Sequence, residues 1–140
     1  MLLNNKRGFS LVEIMIVVAI IGLLVSTMGS RIFGGLDKAK VQNAKVMMRK
    51  FADALEMYST DCNTYPTSDQ GLEALVSEPQ GQPACDNWGP VSYMKKIPKD
   101  PWGRPYIFES DGISFDIISL GKDKREGGEG FGEDLHYKDL

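Results

Sequence analysis

An apolar run near the amino terminus constrains this chain more than any other feature. Residues 9–30 contain a single charged residue, Glu13. About 20 apolar residues are enough to span the hydrocarbon core of a membrane as a helix, and residues 9–28 supply that length. Lys6 and Arg7 directly precede the run, and such positive charges stay on the cytoplasmic side. The sequence therefore predicts one membrane crossing, with the rest of the chain on the opposite side.

An ordinary cleaved secretory signal is the competing interpretation of this run. Such signals have an apolar region of about 7 to 15 residues that ends in a small-x-small cleavage site. The run here is longer, and Val25-Ser26-Thr27 matches that site poorly. The pattern favours a retained helix.

The helical pattern continues beyond the apolar run as one amphipathic face. No proline occurs between Phe9 and Tyr65, so nothing in the covalent structure interrupts a helix of roughly 50 residues. Spacings of three and four place the following residues on one face: Leu36, Lys40, Ala44, Met47, Phe51, Leu55 and Tyr58. We expect this face to pack on the segments that follow.

The second half of the chain is predicted to form short elements joined by loops. All seven prolines lie in residues 66–105, where we expect loops and one short helix over residues 69–76, capped from residues 68–71. Residues 106–108 and 114–119 are strand-like and are separated by a turn sequence, which predicts a β-hairpin. The pattern indicates an α+β fold, with the long helix packed on a small antiparallel sheet.

Charge and composition exclude two classes of function. The net charge of -3 argues against nucleic-acid binding, which depends on a basic surface that neutralises phosphates. The chain has one histidine, His136, and no Gly-x-Ser-x-Gly motif, so the residues of a nucleophile, a base and an orienting group are missing. We therefore expect no nucleic-acid partner and no enzyme, and a membrane-anchored periplasmic enzyme is the least supported hypothesis.

The two cysteines suggest a disulfide bond. Cys62 and Cys85 both follow the apolar run, on the side predicted to face an oxidising compartment. Closing the loop between them would stabilise the fold by roughly 3 kcal/mol in the entropic model. Together with His136 they provide too few ligands for zinc, and we expect that histidine to be a surface residue.

Residues 6–13 carry the most specific motif, a basic pair followed by glycine, phenylalanine and a glutamate within the apolar helix. This string resembles the class III signal of type IV pilins and type II secretion pseudopilins. The resemblance implies that a membrane prepilin peptidase cuts between Gly8 and Phe9 and methylates the new amino terminus. It also implies that Glu13 is required for assembly. Independently, an ionisable group in an apolar span needs a partner or a function.

Three further strings narrow the resemblance to one branch of this superfamily. Residues 65–75, 95–106 and 115–121 are similar to the major pseudopilins of type II secretion systems. The resemblance implies a structural subunit that polymerises from the inner membrane into a filament and drives folded proteins across the outer membrane. A type IV pilin or a competence pseudopilin is the alternative, with the same polymer chemistry and a different outcome.

The resemblance also implies a domain organisation and a set of partners. Residues 1–8 would be the cleaved leader, residues 9–30 the transmembrane and assembly helix, and residues 31–140 the periplasmic head with the second half of the helix. The expected location is the inner membrane, crossed once, and the assembled periplasmic pseudopilus. The expected partners are further copies of the chain, minor pseudopilins, the inner-membrane assembly platform, the prepilin peptidase and membrane lipid.

The carboxyl-terminal segment, residues 120–140, is rich in glycine and charge and has no periodicity. Such a segment is disordered unless something holds it, and its oxygen-bearing side chains suit calcium. The family places a structural calcium in this loop. The implied ligands are the carbonyls of Leu120 and Arg125 and the carboxylates of Asp123 and Asp134, with Glu129 and Glu133 as alternatives to Asp134.

Overall fold

The computed structural model describes residues 8–140, apart from the side chains of residues 27–33. Its longest element is helix α1, Leu11–Cys62, which has 52 residues. The absence of proline from this stretch explains why the helix continues without interruption. By their internal contacts the residues form two compact units, divided between Leu36 and Asp37.

In the second unit, α1 buries one face in the core, where Ala52 and Ala54 flank a central stripe. The stripe is formed by Ala44, Met48, Phe51, Leu55 and Tyr58. Their spacing alternates strictly between four and three residues, as expected for one stripe of a helix. The predicted face is therefore correct in direction, but Met48 is fully buried where Met47 is predicted.

Three antiparallel strands form a sheet in the order β1, β2, β3. Strand β1 is Ile107–Ser110, β2 is Phe115–Ser119 and β3 is Leu135–His136. The predicted hairpin is confirmed, with Ser110 opposite Phe115 beside its turn. The sequence does not predict β3, because two residues are too few to show the alternation of a strand. This short strand fixes the carboxyl-terminal segment to the sheet.

The short helix predicted over residues 69–76 forms only as a 3-10 helix, Leu72–Leu75. Ser68, from the predicted capping segment, bonds to the hairpin instead of capping this helix. Its Oγ donates to the Ser110 carbonyl at 3.0 Å and accepts from the Ser110 amide at 2.8 Å. The prediction fails because a tertiary contact with the hairpin replaces the local capping bond.

The structure contains the predicted disulfide bond between Cys62 and Cys85, whose Cα atoms lie 4.9 Å apart. Cys62 is the last residue of α1, and Cys85 is buried in the core. The bond therefore fixes the loop after the 3-10 helix to the end of α1.

A buried carboxylate joins the turn at residues 100–104 to β2. Asp100 Oδ1 accepts hydrogen bonds from the Trp102 and Arg104 amides at 3.1 and 2.7 Å. Ser119 Oγ donates to Asp100 Oδ2 at 2.8 Å. Because a buried carboxylate is tolerated only when its oxygens are satisfied, Asp100 has a structural role in this turn.

Candidate functional site

The residues of the predicted processing and assembly site lie at the start of the described chain. Gly8 and Phe9 precede α1 and lie outside regular structure. Glu13 lies in the first turn of the helix with its side chain exposed. Lys6 and Arg7 fall outside the described residues. Four positions separate Phe9 from Glu13, about one helical turn.

The first part of α1 exposes apolar side chains on all sides. Large apolar residues from Leu11 to Val25 have exposed fractions between 47% and 77%. An exposed apolar surface of this kind is typical of a site that contacts a membrane or another protein. Among residues 8–140, no helix combines the length and the apolarity needed to cross a membrane. The crossing over residues 9–30 stays a prediction.

Backbone contacts hold the loop after β2 in a closed form. The Lys122 amide donates to the Phe131 carbonyl at 2.9 Å, and the Gly132 amide donates to the Glu129 carbonyl at 3.1 Å. Gly121 has a φ of 64°, and a Cβ there would lie 2.7 Å from the Glu133 carbonyl oxygen. Only glycine allows the two ends of the loop to approach this closely.

Asp134 carries the clearest signal for a bound cation. Its Oδ2 accepts a hydrogen bond from the Gly127 amide at 2.8 Å. Its Oδ1 is buried, and no hydrogen-bond partner for it lies among the described residues. Because an unpaired buried carboxylate oxygen is unfavourable, this atom fits a metal ligand.

The structure brings only part of the predicted ligand set together. Leu120, Glu126 and Asp134 line one cleft of about 290 Å³. Asp123 Oδ1 instead accepts from the Arg125 amide at 3.0 Å, and its Oδ2 lies beside Gly132. Glu129 and Glu133, the alternatives to Asp134, are both exposed.

Glu126 is a candidate that the sequence does not identify, because its position in the cleft depends on how the loop folds. No cluster of three or more His, Cys, Asp or Glu side chains suited to a metal occurs within residues 8–140. The predicted set differs from such a cluster, since it combines two carboxylates with main-chain carbonyls. Calcium binding at this loop stays a prediction.

A second polar cluster, also missed by the sequence, fixes the end of the chain to β2. Asp116 is 8% exposed, and its Oδ2 lies 2.7 Å from His136 Nδ1. The Lys138 amide donates to Asp116 Oδ1 at 3.2 Å. Burial raises the pKa of Asp116, but the hydrogen bonds from His136 and Lys138 outweigh it and the net shift is downward. His136 is therefore a structural partner and is only partly exposed.

An ion pair connects the loop to α1. Lys122 Nζ lies 2.7 Å from Asp37 Oδ2, in the same unit of the structure. The lysine side chain is more than half exposed, so the pair contributes little stability by itself. It places Lys122, near the start of the loop, beside Asp37 of α1.

Comparison with known proteins identifies two family models along the chain. Residues 31–138 match the model described as type II secretion system (T2SS), protein G. Residues 3–29 match the prokaryotic N-terminal methylation motif. The two matches follow one another and cover nearly the whole chain.

Curated relatives and a solved structure agree with these matches. A type II secretion system core protein G of Pseudomonas aeruginosa is 45% identical over 127 residues, covering 89% of each chain. The Vibrio cholerae core protein G is 42% identical, covering 95% of this chain and 92% of that protein. The crystal structure of the major pseudopilin from the type 2 secretion system of enterohaemorrhagic Escherichia coli has a TM-score of 0.67 and 35% identity, covering 77% of this chain and 94% of that one. The chain therefore belongs to the protein G family of type II secretion systems, the major pseudopilins.

Proposed function

We propose that this chain polymerises, as the major structural subunit, into a pseudopilus that drives folded proteins across the outer membrane. The observation that carries the proposal is the presence of a methylation motif and a protein G match in consecutive parts of one chain. The family consists of structural subunits, so no catalytic residues are assigned. The same matches favour a secretion pseudopilin over a type IV pilin or a competence pseudopilin.

The proposed location is the inner membrane before assembly and the periplasmic pseudopilus after it. Residues 9–30 anchor the chain through a single crossing, and residues 31–140 form the periplasmic head. The support is the exposed apolar surface of α1 up to Val25, which needs either lipid or neighbouring helices to cover it. Lys6 and Arg7 set the orientation.

The proposed partners follow from assembly out of a membrane. They are further copies of this chain, minor pseudopilins, an inner-membrane assembly platform, the prepilin peptidase and the surrounding lipid. Nucleic acid is not among them, because the net charge is -3 and phosphate binding needs a basic surface.

Calcium is the proposed structural cofactor of the carboxyl-terminal loop. Asp134 would contribute the carboxylate oxygen that has no other partner, Asp123 the second carboxylate, and Leu120 and Arg125 their carbonyls. These are the hard oxygen ligands that calcium prefers. A bound cation would supply positive charge beside Glu126 and Asp134, which line the same cleft.

Deletion of this subunit tests the proposed function. Cells that lack it should retain secreted enzymes in the periplasm, and the intact chain should restore their export. Export of the same enzymes at the wild-type level, together with lost pilus-dependent motility, would instead support the type IV pilin alternative.

Processing provides a second test, which addresses the amino terminus alone. We expect the membrane form to lack residues 1–8 and to begin with Phe9 carrying one added methyl group, as measured by intact mass. A Gly8→Leu variant serves as the control, because a large side chain at the cleavage site should leave the leader attached. Retention of Met1 in the unaltered chain, in cells with an active prepilin peptidase, would contradict the prediction.

A further inference from the structure

The tip of the β1–β2 hairpin exposes an isoleucine directly after the Asp-Gly of its turn. Ile113 is 85% exposed. The turn itself is formed by Asp111, whose Oδ1 accepts from the Ile113 and Ser114 amides at 2.9 and 2.8 Å. The isoleucine side chain takes no part in these bonds and contributes nothing to the head's own core.

The hairpin tip is held against residues 64–65, which directly follow α1. The Gly112 carbonyl accepts hydrogen bonds from Thr64 Oγ1 at 2.7 Å and from the Tyr65 amide at 2.9 Å. Gly112 has a φ of 87°, which a residue with a side chain rarely adopts. Ile113 is thus displayed on a rigid support, and binding through it requires little ordering of the chain.

An apolar groove lies elsewhere on the same head, between α1 and the segment at residues 93–95. It has a volume of about 380 Å³ and is lined by Lys50, Asp53, Ala54, Met57, Tyr93, Met94 and Lys95. Met57 is 59% exposed. The groove therefore offers flexible apolar side chains with a lysine on each side, a surface able to accept an aliphatic side chain.

We propose that the hairpin tip of one copy of this chain docks into the α1 groove of a neighbouring copy, with Ile113 as the anchor. The proposal rests on the proposed function, because it requires a polymer of this chain. It assigns to the head a specific contact between subunits.

The charges of the two surfaces support a second copy as the partner. Glu109 and Asp111 lie beside the tip, whereas Lys50 and Lys95 flank the groove and outnumber its single carboxylate, Asp53. Hydrogen bonds from the Ser114 and Ile113 amides lower the pKa of the exposed Asp111, so this carboxylate stays ionised. Opposite charges at the edges favour the correct register.

The tip and the groove lie at different levels of the head: the tip lies just beyond the end of α1, and the groove lies along the helix. The tip contacts residues 64–65, whereas the groove is formed around residues 50–57. Along α1, about eight residues separate the middle of the groove from the helix end at Cys62, or roughly 12 Å at 1.5 Å per residue. Two copies joined in this way are shifted along the helix axis, and such a head-to-tail contact does not close on itself but builds an open helix.

Cysteine cross-linking of the full chain in filament-forming cells tests this contact. Ile113→Cys and Met57→Cys are combined in one chain and treated with a short bismaleimide, which does not react with the Cys62–Cys85 disulfide. Every subunit then carries both halves of the contact, so we expect a ladder of cross-linked multimers. Each single variant should remain largely monomeric, as should the matched control that combines Met57→Cys with Phe131→Cys.

A second variant measures how much the contact contributes. Ile113→Ser should raise the subunit level needed for filaments roughly tenfold, because a buried isoleucine contributes at least that factor. Its melting temperature should be unchanged, since the side chain is exposed in the single subunit.

The outcomes separate this contact from the proposed function. A ladder together with impaired assembly of Ile113→Ser supports it. Cross-linked dimers without a ladder indicate a two-fold contact and overturn it, as do normal filaments that give no cross-link. Absence of filaments from the unaltered chain overturns the proposed function itself.

Discussion

Glu13→Leu should abolish filament assembly while leaving the chain inserted in the membrane. An ionised side chain within an apolar span costs roughly 2.5 to 3.5 kcal/mol on insertion scales, so the variant should insert at least as readily. The variant should fail at the later step, when inserted subunits assemble into a filament. A neighbouring subunit shifted along the axis can set the positively charged amino terminus of its Phe9 against this carboxylate. In a low dielectric that pair gives both attraction and register.

A purely local role for Glu13 predicts a much smaller effect. The residue lies in the first turn of α1, where a carboxylate stabilises a helix through the macrodipole by about 0.3 to 1 kcal/mol. Losing that amount would leave most subunits helical and able to assemble. Complete loss of filaments therefore distinguishes a contact between subunits from a helix-terminus effect.

Two control variants make this comparison specific. Ser26→Leu introduces the same side chain further along the apolar stretch and should assemble normally. Glu13→Asp retains the charge on a shorter side chain and should retain part of the assembly. Filaments are counted by electron microscopy, and membrane insertion is measured by fractionation. Filaments at the wild-type level from Glu13→Leu would show that the charge pair is dispensable.

The fold is predictable from the sequence wherever a pattern repeats over many residues. The continuous helix follows from the lack of proline, and its buried face follows from the spacing of Ala44, Phe51, Leu55 and Tyr58. The hairpin follows from two strand-like runs around an Asp-Gly turn. In each case the signal is periodic and local, so tertiary contacts reinforce it rather than replace it.

The sequence does not predict contacts between polar side chains that are far apart in the chain. Asp116 contacts His136 across 20 positions of the chain, and no motif marks either residue. Ser68 looks like a helix cap but bonds to Ser110, 42 positions away. Such contacts depend on side-chain geometry after folding. For the same reason the sequence does not identify Glu126, which lines the cleft with Asp134.

Calcium should raise the melting temperature of the full chain in detergent, relative to chelator. Residues 121–132 of the loop after β2 are rich in glycine, and their one large apolar residue, Phe131, is 41% exposed. Burial therefore does little to offset an ordering entropy of roughly 1 to 2 kcal/mol per residue. A ligand that binds only the folded state, at a concentration a hundredfold above its Kd, raises the free energy of unfolding by about 2.7 kcal/mol. For a unit of this size that corresponds to a shift of roughly 10 °C or more.

Asp134→Asn distinguishes a metal ligand from a structural residue. Asparagine retains a carbonyl oxygen for the Gly127 amide but removes the charge and the unpaired carboxylate oxygen. If Asp134 binds calcium, this variant should lose most of the calcium-dependent shift, yet melt in chelator at or above the wild-type temperature. Asp123→Ala should also lose most of the shift, but it should melt lower in chelator because the Arg125 amide loses its acceptor.

The matched control is Glu78→Gln, which removes an exposed carboxylate outside the loop and should keep the full shift. Calorimetry of the four proteins with calcium and with chelator provides the comparison. Equal melting of the wild-type chain in both conditions would refute the site. If calcium still raises the melting temperature of Asp134→Asn, a residue other than Asp134 supplies the second carboxylate. Glu126 is then the first candidate, because it lines the same cleft as Leu120.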